Sequence, residues 1–155
     1  MRTAPFLDPE LLVSALSGAL VPTLAEQVLS AGHPGAAHAR RARIGSPALI
    51  VCPHLSVPYG PEGLGNGRFL AETYGVLIQV RTAAPDAWIE VATTLRTLRA
   101  GLFDTLEAAR LDPAWAPLRY VGGERMDVDD DPAQIYRWIE YYQTETALTL
   151  RPRTL

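Results

Sequence analysis

Residue types that could do chemistry come together first at Cys52-Pro53-His54. A thiolate and an imidazole are both ligands of zinc, so this tripeptide supplies half of a zinc-binding set. His33 and His38 lie apart from it in the sequence, and the chain has no second cysteine. As a nucleophile, Cys52 would need a base and an orienting acid, and the sequence has no signature of either. The pattern therefore predicts a buried strand cysteine rather than a metal ligand or a catalytic residue.

A glycine-rich segment at residues 60–67 superficially resembles a phosphate-binding loop. It lacks the Gly-Lys-Ser/Thr ending of that motif, and the pattern after it predicts a strand rather than a helix whose N-terminus could hold phosphate. We therefore assign it no nucleotide.

An acidic run, Asp127 and Asp129-Asp130-Asp131, could in principle hold calcium. It lacks the glycine and the closing glutamate of an EF-hand loop, and Asp followed by Pro132 favours a turn. We interpret the run as a solvated hairpin turn, and we leave open that it forms a negatively charged rim when several copies assemble. The sequence thus predicts no catalytic residue, no metal site and no cofactor.

Composition excludes several classes of protein. The 155 residues are 48% hydrophobic and 20% charged, which is typical of one globular domain, and the net charge of −3 gives no footprint for nucleic acid. A single cysteine excludes an intrachain disulfide framework. No apolar run approaches a membrane span or a secretory signal, so we expect a protein made in a reducing interior.

All 14 basic residues are arginine. GC-rich coding would produce this bias without selection on the protein. Arginine is also the better residue at interfaces, because its planar fork pairs with carboxylates in a bidentate way. Both explanations stay open.

The elements that must position these residues begin with a helix. Asp8-Pro9-Glu10 is typical of a helix N-terminus, and apolar residues follow at helical spacing up to Ala19. Leu24, Val28 and Leu29 predict one or two further turns, and residues 32–45 predict a loop or an irregular strand. A buried strand is predicted over Ala48–Cys52.

A long loop rich in proline and glycine is predicted at about 53–68, and such loops tend to be functional or ordered by a partner. The clearest strand follows over 69–82, and the strongest helix runs from Trp88 until Asp112-Pro113. Two strands, near 118–122 and 136–150, finish the chain. The order predicts a single α+β domain over residues 1–155, with a mostly antiparallel sheet covered on one face by the N-terminal helix and the long central helix.

Aromatic residues concentrate on the last predicted strand. Strand alternation puts Trp138 and Tyr142 on one face and Tyr141 on the other. With helices on one face only, the sheet would present apolar groups outwards, and such patches usually mark an interface.

The order of elements resembles the tail terminator (tail completion) proteins of long-tailed, Mu-like or contractile-tailed bacteriophages. The residues that carry the resemblance span nearly the whole chain: Asp8-Pro9-Glu10-Leu11-Leu12, Leu49-Ile50-Val51, Pro58-Tyr59-Gly60, Tyr74–Val80, Leu111–Trp115 and Leu118–Gly123. Residues 32–45 do not match the family.

This resemblance implies a non-enzymatic virion subunit, made in the host cytoplasm. It would form a ring, a hexamer in the family, at the head-proximal end of the tail tube, where it ends tube polymerisation and presents a docking surface for the neck. Its partners would be itself, the tail tube protein and a neck or head–tail connector protein. DNA would pass through the ring without sequence-specific binding. The alternatives are a neck or head–tail joining protein and, in another class, a small metal- or ligand-binding enzyme.

In such a ring, unlike patches of neighbouring subunits meet. We expect arginines to pair there with acids of the next subunit, with Trp138 as an apolar alternative. The candidate interface residues are Arg40, Arg41, Arg43, Arg96, Arg99, Tyr59, Glu62, Asp129, Asp130, Asp131 and Trp138.

Overall fold

The computed structural model describes residues 6–31, 47–59, 67–81, 88–126 and 135–149. Its elements in chain order are α1 (Pro9–Leu20), β1 (Gln27–Ser30), β2 (Ala48–Tyr59), β3 (Gly67–Arg81), α2 (Trp88–Leu106), β4 (Arg119–Met126) and β5 (Ile135–Thr149). The five strands form one sheet in the order β1-β2-β3-β5-β4. Among the described strands only the β1–β2 pair is parallel, so the mostly antiparallel α+β fold predicted from the sequence is confirmed.

Helix α1 begins where its sequence predicts. The Asp8 side chain accepts a hydrogen bond from the Glu10 amide at 3.0 Å, and Pro9 takes the first helical position. Leu12, Leu16 and Leu20 recur every four residues and are buried. Each such leucine stabilises the fold by about 1.5–3 kcal/mol.

Both helices pack on the same face of the sheet, here called the helix face. The core there joins leucines of α1 and α2 to alternate residues of the strands, among them Val51, Val76, Ile78 and Tyr142. Gly101 allows the helices to approach closely, because a Cβ atom there would lie 3.0 Å from side-chain atoms of both Leu20 and Leu24. The opposite side, here called the second face, carries a smaller cluster around the buried residues Ala48 and Ile50.

Three sequence predictions about element boundaries were wrong. The segment with Val28 and Leu29 forms strand β1 instead of helical turns, because it pairs in parallel with Ala48–Val51. Residues 53–59 and 67–68, predicted as part of a loop at about 53–68, belong to β2 and β3. Helix α2 ends at Leu106 and not near residue 112, because Ala108 adopts a left-handed φ of 61° and its amide bonds to Leu118 O.

Candidate functional site

Strands β2 and β3 extend well past the short strand β1, and residues 53–59 with 67–73 are here called the β2–β3 arm. On its second face the arm exposes three apolar side chains: Leu55 (54%), Val57 (41%) and Phe69 (39%). Val57 pairs with Ala71, two residues from Phe69 on the same face, so these groups are neighbours across the hairpin. Exposed apolar groups that adjoin in this way usually mark a contact surface.

The edge of the arm is protected against strand addition. In the part of the chain that the structure describes, no strand pairs with residues 52–59 on the side away from β3. Pro53 and Pro58 lie on this edge, and a proline fits a strand only where its missing N–H faces away from a partner. A register shift at His54 brings both prolines into that orientation. The arm is therefore suited to contacts through its face rather than through its edge.

A second feature is a charged cluster between α2 and the β4–β5 hairpin. Glu140 is only 1% exposed, and its Oε1 atom accepts hydrogen bonds from Arg99 Nε and, at 3.0 Å, from Trp138 Nε1. The Arg99 guanidinium also lies 4.5 Å from the centre of the Trp138 ring and donates to the Tyr120 hydroxyl at 3.4 Å. One arginine thus neutralises a buried carboxylate and holds helix and sheet together.

The electrostatics of this cluster follow from its burial. Burial acts to lower the pKa of Arg99, but the hydrogen bonds to Glu140 and Tyr120 and the attraction of their charges together outweigh it, and the pKa is raised. Burial and then the nearby Glu140 carboxylate raise the pKa of Tyr120. Arg99 therefore stays charged and the Tyr120 phenol keeps its proton at neutral pH.

Glycine is required opposite Glu140. Gly123 pairs with Glu140 across the strands, and a Cβ atom at Gly123 would lie 2.4 Å from Glu140 Oε2 and 3.0 Å from Trp138 Nε1. Glu140 Oε2 is buried and has no hydrogen-bond partner among the residues that the structure describes. The carboxylate therefore fits only because residue 123 has no side chain.

A third feature is a second buried carboxylate, that of Glu72 on β3, which lies beside the segment that precedes α1. Its Oε2 atom accepts bonds from the Tyr74 hydroxyl and from the Leu7 amide (3.3 Å), and Ser56 Oγ lies 3.5 Å from its Oε1. The Tyr74 hydroxyl also lies 2.7 Å from Leu7 O, so its single proton is shared between Leu7 O and Glu72 Oε2. Burial and then Glu72 raise the pKa of Tyr74, so this phenol remains a donor. These bonds fix the segment before α1 to β3.

An open cleft of about 210 Å³ lies beside Glu72. Its walls come from the segment before α1 and from the part of the arm around the His54 shift: Phe6, Leu7, Pro9, Pro53, His54, Leu55, Ser56, Thr73 and Tyr74. The cleft is thus mostly apolar, with one carboxylate, that of Glu72, among its described lining residues.

The structure brings together only two of the candidates chosen from the sequence, Arg99 and Trp138. Arg99 was expected to meet an acid of a neighbouring subunit, and its carboxylate partner in the structure is Glu140 of its own chain. Arg96 is exposed on α2, and Tyr59 ends strand β2. The other candidates lie outside the described residues: Arg40, Arg41, Arg43, Glu62, Asp129, Asp130 and Asp131.

Sequence reasoning missed Glu72 and Glu140, although a signal was present. Glu72 shares its strand parity with Leu70 and Tyr74, and Glu140 shares its parity with Trp138 and Tyr142. A glutamate in phase with the buried residues of a strand is a buried charge, which must be compensated locally.

Cys52 is a strand residue, as predicted, but it is half-buried rather than fully buried. It packs beside Ala48 and Ile50 on the second face, and burial raises the pKa of its thiol. The described residues contain no group of three or more side chains suited to a metal ion. No helix in the described parts of the chain is long and apolar enough to span a membrane.

These features define an α+β protein whose distinctive surfaces are an exposed sheet arm and a carboxylate cleft. No family model and no curated protein matches the chain. One solved structure with a similar fold is a chain from the virion of a native gene transfer agent particle. It has a TM-score of 0.53 and 16% identity, over 88% of this chain and 95% of its own. A second, at 14% identity over 94% of this chain and all of its own, has a TM-score of 0.41, which is too low to support an argument.

Proposed function

We propose that this chain is a structural subunit of a phage-like virion. The observation that carries the proposal is the fold that it shares, over most of both chains, with a chain of a gene transfer agent virion. Non-enzymatic assembly agrees with the described residues, in which the buried charged groups tie elements together. The exposed apolar face of the arm is suited to contact with another protein.

Within that class, the subunit is a tail terminator. Copies form a ring, a hexamer as the family resemblance implies, on the head-proximal end of the tail tube. The ring ends polymerisation sterically, because it replaces the growing face of the tube with a surface on which no tube subunit can pair. Its other side docks the neck. Contacts between neighbours are heterologous, so that the arm of one subunit meets a different surface of the next.

The first test is assembly. Light scattering of the purified protein is expected to give about six times the 16.9 kDa subunit mass. Replacing Leu55 and Val57 together by serine should leave a folded monomer, because these side chains are exposed before assembly. The matched control is Val121→Ser, which alters an equally exposed valine on β4. A wild-type protein that stays monomeric at every concentration would contradict the ring.

The second test separates a terminator from a neck or head–tail joining protein. The tail tube protein from the same gene neighbourhood is polymerised with and without this protein, and tube lengths are measured by electron microscopy. A terminator shortens the tubes and caps one end, whereas a joining protein leaves tube growth unchanged. Unchanged growth, together with binding to the portal side of the neck, would identify the joining protein.

A further inference from the structure

The Glu72 carboxylate lines the cleft, and among the described lining residues the one basic group is His54, whose ring centre lies 4.7 Å from that of Tyr141. Of the described residues that line it, none is an arginine. Asp8, at the nearby N-terminus of α1, adds negative potential, since its charge also acts on Tyr74. A buried carboxylate is normally paired with a cation.

The hydrogen bonds of Glu72 are also incomplete. The Tyr74 hydroxyl has one proton and faces two acceptors, Leu7 O and Glu72 Oε2. Among the described residues, Glu72 Oε1 has one donor, the Ser56 hydroxyl at 3.5 Å. An ionised carboxylate has about four lone-pair sites, so Glu72 retains capacity for a further donor, above all on Oε1.

The walls of the cleft suit the stem of a long cationic side chain. Phe6, Leu7 and Pro53 are apolar, and the cleft lies beside the part of β2 that has no strand on the side away from β3 among the described residues. A guanidinium is more weakly hydrated than an ammonium and forms planar bonds to carboxylates, so it enters such a site more readily. A flexible methylene stem would meanwhile cover the apolar walls.

We infer that this cleft is a receptor for an arginine side chain, supplied by a second copy of the chain. The guanidinium would bind Glu72 and complete its hydrogen bonds. The choice of source rests on the proposed ring, in which the surfaces of neighbours differ, and on a sequence with 14 arginines and no lysine. Charge complementarity between cleft and arginine would fix the register of neighbouring subunits.

The test uses the full chain and two small probes, N-acetylarginine amide and its uncharged analogue N-acetylcitrulline amide, at equal ionic strength. The arginine probe should dissociate the assemblies, as measured by light scattering, at concentrations at which the citrulline probe does not. Glu72→Gln keeps an acceptor but removes the charge, and it should weaken self-association about ten- to hundredfold. Glu124→Gln, which removes an exposed carboxylate elsewhere, should leave self-association unchanged.

Thermal unfolding of each variant shows whether it is folded, and calorimetric binding of the probe keeps the site testable in any oligomeric state. If neither the arginine probe nor Glu72→Gln changes self-association, the cleft is not an arginine receptor between subunits, and the proposed ring is unaffected. A monomeric wild type would overturn the ring and the second copy as the source of arginine. Saturable binding of the arginine probe that is lost in Glu72→Gln would then still support an arginine-binding cleft. No saturable binding would refute it.

Discussion

At the scale of single residues, two glutamates on the helix face are held in different ways. Glu140 is neutralised by Arg99. The Arg99 side chain is about half-exposed, and its guanidinium lies over the Trp138 ring. Glu72 is held by uncharged donors alone among the described residues. Breaking a buried ion pair by removing one partner is costly, since the other charge stays buried. Removing the arginine that neutralises Glu140 should therefore lower the free energy of unfolding.

Arg99→Leu is expected to lower the free energy of unfolding by about 1–3 kcal/mol, because it removes the charged donor of the buried Glu140 carboxylate and leaves the neutral Trp138 indole as a donor. The partial exposure of Arg99 keeps the effect below that of a fully buried pair. Urea unfolding measures it. Arg96→Leu, on an exposed position of the same helix, should change stability by no more than about 0.5 kcal/mol. Equal effects of the two variants would refute the role of the pair.

Gly123→Ala should destabilise the protein by about 1–3 kcal/mol, because the new methyl group would overlap Glu140 Oε2 and displace the carboxylate. Gly18→Ala is the matched control. Residue 18 lies in α1 with nothing within 4 Å of a Cβ atom, so alanine should stabilise the helix by about 0.5–1 kcal/mol. The same direction of change in both variants, measured by thermal unfolding, would contradict this account.

At the scale of elements, the link between α1 and the sheet depends on Tyr74. Its hydroxyl bonds both to the segment before α1 and to Glu72, while Leu12, Leu16 and Leu20 supply the apolar contact of the helix. The polar link fixes where the helix starts, and the leucines fix which side it buries.

Tyr74→Phe should cost about 1–2 kcal/mol near pH 8, through the lost hydrogen bonds. It should also flatten the loss of stability in alkali. The folded pKa of Tyr74 is raised, first by burial and then by Glu72, so its contribution is complete below the unfolded pKa of about 10 and is lost as the pH rises further. Unfolding followed between pH 8 and 12 tests this. Tyr141→Phe, which alters a more exposed tyrosine, should retain most of the alkaline slope, and equal slopes in wild type and Tyr74→Phe would contradict the prediction.

Periodicity predicted most of these elements, and it failed where pairing decides the structure. The 3.6-residue repeat of α1 and the alternation of β3 are intrinsic to their own sequences. Strand β1 has only four residues and forms because β2 is beside it, which a single segment cannot reveal. Pro53 and Pro58 resemble loop residues, but they are compatible with the unpaired edge of a strand. The buried glutamates were predictable from strand parity, whereas their partners on α2 and before α1 depend on the tertiary fold.

At the scale of the whole molecule, the arm and the cleft lie at the same end of the sheet. Leu55 belongs to both, and Glu72 pairs with Ser56 within the arm. The apolar side chains of the arm and Glu72 lie on opposite faces of the sheet, so a neighbour would have to extend around the β2 edge to contact both. Apolar contact would then contribute affinity and the charged contact would select the register.

In the proposed ring, charge should also act between neighbours at surfaces other than the cleft. The sequence prediction that arginines meet the acidic run 129–131 of a neighbour leads to an expected outcome: reversing Asp129 and Asp130 to arginine weakens self-association, and so does raised salt in the wild type. Sedimentation at about 0.05 and 0.5 M NaCl measures both effects. The control is Asp104→Arg, which makes the same change from a negative to a positive charge at an exposed position on α2. If self-association is unchanged by salt and by the charge reversal but is abolished by the Leu55 and Val57 replacement, the contact between subunits is apolar and the acidic run is not part of it. Weakening by the reversal and by salt, with the Asp104 control unaffected, would instead assign the run to the interface, because screening and reversal act on the same pairs.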